Sequence, residues 1–220
     1  MTDSILNSTE PKPSKLTFNS QFANQDEGAS LWLNAAYNVL ITQGVAQIRI
    51  SALADQLETT RTAFYWYFSS RQELLDRLVA LWQAKNTDNL IARINAYAHT
   101  INEAVFNMFD CWLDQNLFDV PLDLAIRHWA SADPALSKKV TAADQTRIAA
   151  LYALFLRFKY DENDAFTRAH TVYYTQIGYI SMMVQDERKQ RLGRMPDYAA
   201  VYTGVKPSAQ EIERFFSRHL

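Results

Sequence analysis

The chain has 220 residues, 48% hydrophobic and 21% charged, enough for one large domain or a small module joined to a larger one, and too apolar for a wholly disordered chain. Its 22 basic and 24 acidic residues give a formal charge of -2, so no bulk attraction to nucleic acid or to an acidic membrane is built in, and any such partner must be argued from local geometry. One cysteine, Cys111, cannot close an intramolecular disulfide, and Met1-Thr2-Asp3-Ser4 lacks the basic start and apolar run of a secretory signal, so the expected compartment is the cytoplasm.

The longest uncharged stretch, Ala29 to Ile48, carries Asn34, Asn38, Thr42, Gln43 and Gln47 and is broken by Gly44, so no membrane span is expected. The five glycines form neither a G-x-G turn nor a G-x-x-x-x-G-K phosphate loop. The four histidines, His99, His128, His170 and His219, lie too far apart to make a local pair of metal ligands, and no serine sits in a G-x-S-x-G elbow. No metal, no cofactor and no enzymatic activity are expected.

Residues 1–26 are polar, with Pro11 and Pro13 and no helical or strand period, and read as a disordered tail; Lys12 and Lys15 are its only cations, a thin basis for a minor-groove arm. From Ala29 the apolar residues Trp32, Ala36, Val39 and Leu40 recur at helical spacing until Gly44, a stop signal. A second, two-turn helix is expected over Ser51 to Leu57, with Ser51 as its cap. A third is expected from Thr60, whose hydroxyl is placed to cap it, to about Phe68. The fourth opens at Ser70-Arg71-Gln72-Glu73, a capping-box spacing, and repeats Leu74, Leu75, Leu78, Leu81 and Trp82 on one face.

Two short helices across a tight turn, flanked by two longer ones, are the layout of a helix-turn-helix unit. Residues 32–44 (WLNAAYNVLITQG), 49–57 (RISALADQL) and 59–75 (TTRTAFYWYFSSRQELL) closely resemble the DNA-binding half of the tetracycline-repressor (TetR) family of bacterial transcription regulators. The likeness spans about residues 29–82. Two positions depart from the family pattern: Glu58 stands where the turn usually has glycine, and Trp66 where histidine is frequent. A left-handed backbone at Glu58 costs a side-chain-bearing residue about 1–2 kcal/mol.

The resemblance implies an all-α fold: a helix-turn-helix DNA-binding bundle at 27–82 and a larger helical ligand-binding and dimerisation domain at 83–220. Residues near the N-terminus of the third helix would meet base edges in the major groove. Arg61 can donate two parallel hydrogen bonds to guanine, and Thr62 offers a hydroxyl and a methyl group; these are the expected base readers. Thr60, Tyr65, Trp66 and Arg71 are placed by analogy on phosphates, with Arg49 a further candidate. Between residues 46 and 85 five cations oppose four acids, so nonspecific affinity should be modest. Phe64 and Phe68 fall on the opposite face and are expected in the core.

Beyond residue 82 the helical periods continue without a strand. Helices are expected over 100–116, from Leu122 to Ala130, from Pro134 through Phe158, and from about Glu162 to Gln185; a polar loop rich in Arg and Lys then runs from Asp186 to Pro207, and a last helix, Ala209 to His219, would pack beside the preceding one through Ile212, Phe215 and Phe216. The helix from Glu162 is apolar around much of its circumference and needs two partners, one of them a second copy of the chain; the resemblance likewise implies a homodimer through the last two long helices. It also implies a small-molecule pocket, but no ligand residues transfer by motif. On chemistry alone, Met108, Trp112, Trp129, Tyr152, Phe155 and Tyr173 are candidates for lining it, with His128 and Gln176 as polar partners. Cys111 is expected to be a buried, inert thiol. The function these readings imply is a dimeric regulator, a repressor, that binds a palindromic double-stranded operator and is released by a small apolar or aromatic effector, with no membrane partner. The alternative is a helical carrier or sensor of apolar ligands without DNA binding.

Overall fold

The structure, a computed structural model, describes residues 27–220; the expectations for the tail, including Lys12 and Lys15, lie outside the described residues. Eleven α-helices and no strand occur among them: α1 (Glu27–Gln43), α2 (Ile50–Gln56), α3 (Arg61–Phe64), α4 (Arg71–Gln83), α5 (Asn89–Asn95), α6 (Ile101–Leu113), α7 (Val120–Ala130), α8 (Pro134–Arg157), α9 (Glu162–Ser181), α10 (Arg188–Thr203) and α11 (Ala209–Ser217). The fold is all-α, with an N-terminal helix-turn-helix unit and a larger C-terminal helical domain. None of these helices is long and apolar enough to cross a membrane.

The sequence signals place the N-terminal helices. Gly44 ends α1 at φ +85°, a conformation that other residues rarely adopt, and Val45–Gln47 form a short 3-10 turn. α2 starts one residue before the expected position, because the Arg49 carbonyl accepts the Leu53 amide at 2.9 Å; Arg49 is therefore the N-cap, and Ser51 lies inside the helix instead of capping it. Glu58 carries φ +51°, the left-handed turn that its departure from glycine makes costly. Thr60 caps α3 as expected, its Oγ1 accepting the Ala63 amide at 3.2 Å. α3 itself is one turn, and residues 65–67 continue as turns that close on Phe68, whose amide donates to the Phe64 carbonyl at 3.1 Å. Ser70 caps α4, but the reciprocal half of the box is displaced: Glu73 Oε2 accepts from the backbone N–H and hydroxyl of Ser69, both at 2.7 Å.

α4 passes into α5 without a break through a π-helical turn, Ala84–Asp88. Such turns occur mostly as single insertions, frequently at functional sites. This one turns Asn86 and Thr87 into the interior.

Two hydrophobic clusters fill the molecule. The first joins α1 to α4 with Leu122, Ile126 and Ala130 of α7 and Leu136, Val140 and Ala143 from the first half of α8. The second joins α5, α6, the rest of α8, α9, α10 and Phe215. Helix α7 thus braces the N-terminal bundle from outside it.

Two expectations for the C-terminal half are corrected. The stretch expected as a polar loop contains α10: Leu192, Met195, Ala199 and Tyr202 form a narrow buried stripe at helical spacing, obscured in sequence by charged neighbours and by Pro196, which removes one helical hydrogen bond from the interior. And α11 packs on α6, where Phe215 stacks on Phe106 with centroids 4.5 Å apart. His219 and Arg218 reach Asp110 on the same helix at 2.9 and 3.3 Å.

Candidate nucleic-acid interface and regulatory cavity

Phe64 is fully buried and meets Trp32 edge-on at 5.2 Å, which fixes the rotation of the short α3. That rotation sends the neighbours of Phe64 outward. Thr60, Arg61 and Thr62 are exposed; Tyr65 is 54% and Trp66 81% exposed. An indole left almost wholly in water forgoes burial worth about 2 kcal/mol or more, which this chain alone does not supply. Arg49 is also exposed and donates to Gln47 Oε1 at 2.5 Å. The structure therefore brings six of the seven candidate DNA contacts to the surface of the α1–α4 bundle.

Arg71 is placed differently. Its Nε donates to the Ile48 carbonyl at 2.5 Å and its Nη2 to the Val45 carbonyl at 2.7 Å. The guanidinium ties the start of α4 to the turn ahead of α2, donating to the Ile48 carbonyl and adding a second donor to that of Val45, which also accepts the Ile48 amide at 3.2 Å. Arg71 thus braces the α1–α4 bundle, with two of its donors spent on the protein's own backbone.

Behind this surface a buried polar network connects the α1–α4 bundle to the C-terminal half. Asp123 of α7 is wholly buried; its Oδ1 accepts from Trp82 Nε1 at 2.7 Å and Arg147 Nη1 at 3.2 Å, and its Oδ2 from Arg127 Nε at 2.7 Å. Burial by itself would raise the Asp123 pKa, but the guanidinium groups of Arg127 and Arg147 outweigh it and hold the carboxyl below its ordinary range. Arg127 also forks onto Asp144 at 2.9 and 2.7 Å, and Tyr173 donates to Asp144 at 2.6 Å. One turn earlier, Asp119 accepts from Tyr37 of α1 and from Lys85, each at 3.1 Å, and its backbone exchanges two hydrogen bonds with the Asn86 side chain at 2.8 and 2.9 Å. Arg147 Nε donates to Thr87 at 3.0 Å. The π turn is what delivers Asn86 and Thr87 to these partners.

With this geometry in view, the sequence model described as "Bacterial regulatory proteins, tetR family" matches residues 33–78, the span from α1 to α4 that carries the exposed α3. Over those residues the chain carries a helix-turn-helix segment of the tetR type. Among solved structures, a transcriptional regulator from Rhodococcus sp. Rha1 is 16% identical, with a TM-score of 0.52, covering 87% of this chain and 98% of that one, a likeness of fold. The multidrug binding protein EbrR, solved with imidazole, is 15% identical at a TM-score of 0.43, covering 84% and 99%. No curated protein gives a significant match.

Beyond the TetR-type domain, a cleft of about 1290 Å³ opens between the end of α1 with its Gly44 turn, the C-terminal ends of α6 and α9, helix α7 and the start of α10. Of the candidate lining residues, Trp112, His128 and Trp129 border it. A smaller cavity of about 40 Å³ adjoins it between α6, α9 and α10 and contains Gln176 together with Trp112. The other four candidates are placed elsewhere. Met108 and Phe155 are fully buried in the second core cluster, and Tyr152 packs on its edge. Tyr173 is committed to Asp144, and its burial, with Arg147 and Arg127 nearby opposing, raises its pKa above the ordinary phenol value. The sequence reading missed Tyr179, Asp186 and Arg191, which line both cavities; Asp186 and Arg191 fall in the stretch 186–207 that it treated as a loop. Among the described residues no cluster of side chains has the makings of a metal site.

Proposed function

We propose that this chain is a repressor that binds a palindromic operator as a homodimer and leaves it when a small molecule occupies the cleft of the C-terminal half. The observation that carries this reading is the outward-facing segment Thr60 to Trp66 on a buried Phe64 anchor. Arg61 and Thr62 read bases, while Thr60, Tyr65, Trp66 and Arg49 hold phosphates and sugars. Two such segments must enter successive major grooves about 34–36 Å apart, which a two-fold dimer provides.

The dimer reading is supported by α9 and α10, which leave apolar side chains in water: Phe166 is 57% and Tyr174 61% exposed, with the His170 ring between them, and Val201 is 70% exposed. The release mechanism rests on the wall that the cleft shares with α1 and the Gly44 turn, and on the α4–π–α5 rod that joins the reading head to the network around Asp123. A ligand that prefers the arrangement with the heads wrongly spaced shifts the population away from the DNA-bound form, whereas equal affinity for both arrangements shifts nothing.

Footprinting on the DNA upstream of the chain's own gene tests this directly. Two protected half-sites one helical turn apart, bound by a species that sediments as a dimer, are expected. A single unpaired footprint, or a protein that stays monomeric at micromolar concentration, contradicts the proposal, and an apolar carrier would give no footprint at all.

A further inference from the structure

The smaller cavity contains two buried hydrogen-bond donors with nothing to donate to. Trp112 and Gln176 are each only 6% exposed, and Trp112 Nε1 and Gln176 Nε2 have no partner. An unmet buried donor of this kind costs about 1–3 kcal/mol, so it calls for an explanation. The indole N–H has no acceptor capacity, so the group that completes it must be an acceptor.

Arg191 stands where the two cavities meet, lining both. Its guanidinium lies 4.5 Å from the centroid of the Tyr179 ring, and among the described residues no carboxylate comes within ion-pair distance of it. Asp186, the acid beside it, is engaged by Arg194 at 3.4 Å and by the Tyr179 hydroxyl at 3.5 Å. A half-buried cation held in place by an aromatic face, with its donors unspent, is suited to a planar anion. The volumes divide in the same way. A cavity of about 40 Å³ holds roughly three waters, the size of a carboxylate head group, whereas the adjoining cleft, with Trp129 and Phe118 in its wall, has room for an aromatic body.

We propose that the effector is an aromatic carboxylate, its head group bound by Arg191, Trp112 Nε1 and Gln176 Nε2 in the small cavity and its ring in the cleft. This rests on the reading of the C-terminal half as an effector site and replaces a merely apolar ligand by an acidic one. Head-group recognition and ring burial are then separable, because they occur on opposite sides of Arg191.

The test uses 2-naphthoate and its uncharged isostere 2-naphthamide, titrated calorimetrically into the full-length protein without DNA. Naphthoate is expected to bind at least tenfold more tightly than the amide. Arg191→Met should reduce that preference to less than twofold, Arg191→Lys should retain part of it, and Trp112→Phe, which keeps a ring and removes the N–H, should weaken naphthoate about fivefold and the amide, whose carbonyl is the weaker acceptor, by less. Equal or tighter binding of the amide, no binding of either probe, or an undiminished preference in a folded Arg191→Met variant would overturn the proposal. Operator binding is measured separately: a protein that binds its operator yet ignores naphthoate overturns the acid alone and leaves the repressor reading standing.

Discussion

Removal of the Asp123 charge should be the most damaging conservative change outside the apolar core. Asp123→Asn keeps the volume and part of the hydrogen bonding but leaves Arg147, wholly buried and 3.2 Å away, without its main counter-charge. Losing one partner of a buried pair typically costs about 3–5 kcal/mol, because the remaining charge is uncompensated in a low-dielectric interior. In a chain of this size each kcal/mol lowers Tm by about 2–4 °C, so a loss of roughly 6–20 °C is expected in a thermal melt. The double variant Asp123→Asn/Arg147→Met removes the stranded charge and should recover part of that loss. Since the folded pKa of Asp123 is depressed, its contribution is present above the unfolded carboxylate value near 4 and fades as pH falls through the folded value. The gap between the wild-type and Asp123→Asn proteins should therefore narrow below about pH 4. A loss under about 1 kcal/mol at neutral pH, or a double variant less stable than the single one by the full cost of Arg147, would refute the view of this network as an electrostatically matched joint.

Other consequences are simpler to check. Glu58→Gly should raise stability by up to about 1 kcal/mol in chemical denaturation, because relief of the left-handed backbone exceeds the entropy glycine loses on folding. Phe166→Glu combined with Tyr174→Glu places like charges on the exposed face of α9 and should yield a folded monomer by sedimentation; an unchanged dimer would move the interface elsewhere. Cys111 is buried, and that burial pushes its thiol up to about 12, so it should resist iodoacetamide in the native protein at neutral pH and react only on unfolding.

The reading head was legible in the sequence because its signals are local. Thr60 and Ser70 cap through their own neighbours, Gly44 stops α1 by its own backbone, and the burial of Phe64 and Phe68 follows from helical spacing. The role of Arg71 was not legible, since its partners, the carbonyls of Val45 and Ile48, lie more than twenty residues away. Helix α10 was hidden because its apolar stripe is narrow and Pro196 and five arginines and lysines between 188 and 206 mimic a loop. Missing it also concealed Arg191 and so the polar end of the cavity. The joint around Asp119 and Asp123 depends on a π turn that no residue pattern announced, and only tertiary packing identifies Asn86 and Thr87 as buried.

The central claim is that the Thr60 to Trp66 segment reads DNA, and fluorescence anisotropy with the upstream DNA against a scrambled duplex, over a range of salt, tests it most directly. The wild-type chain should form a sequence-dependent complex that weakens steeply with salt, and Arg61→Ala should lose about 1–3 kcal/mol of operator preference, roughly 5- to 150-fold, while remaining folded. A folded Arg61→Ala protein with undiminished preference, or a wild-type protein that binds both duplexes alike, would contradict the account.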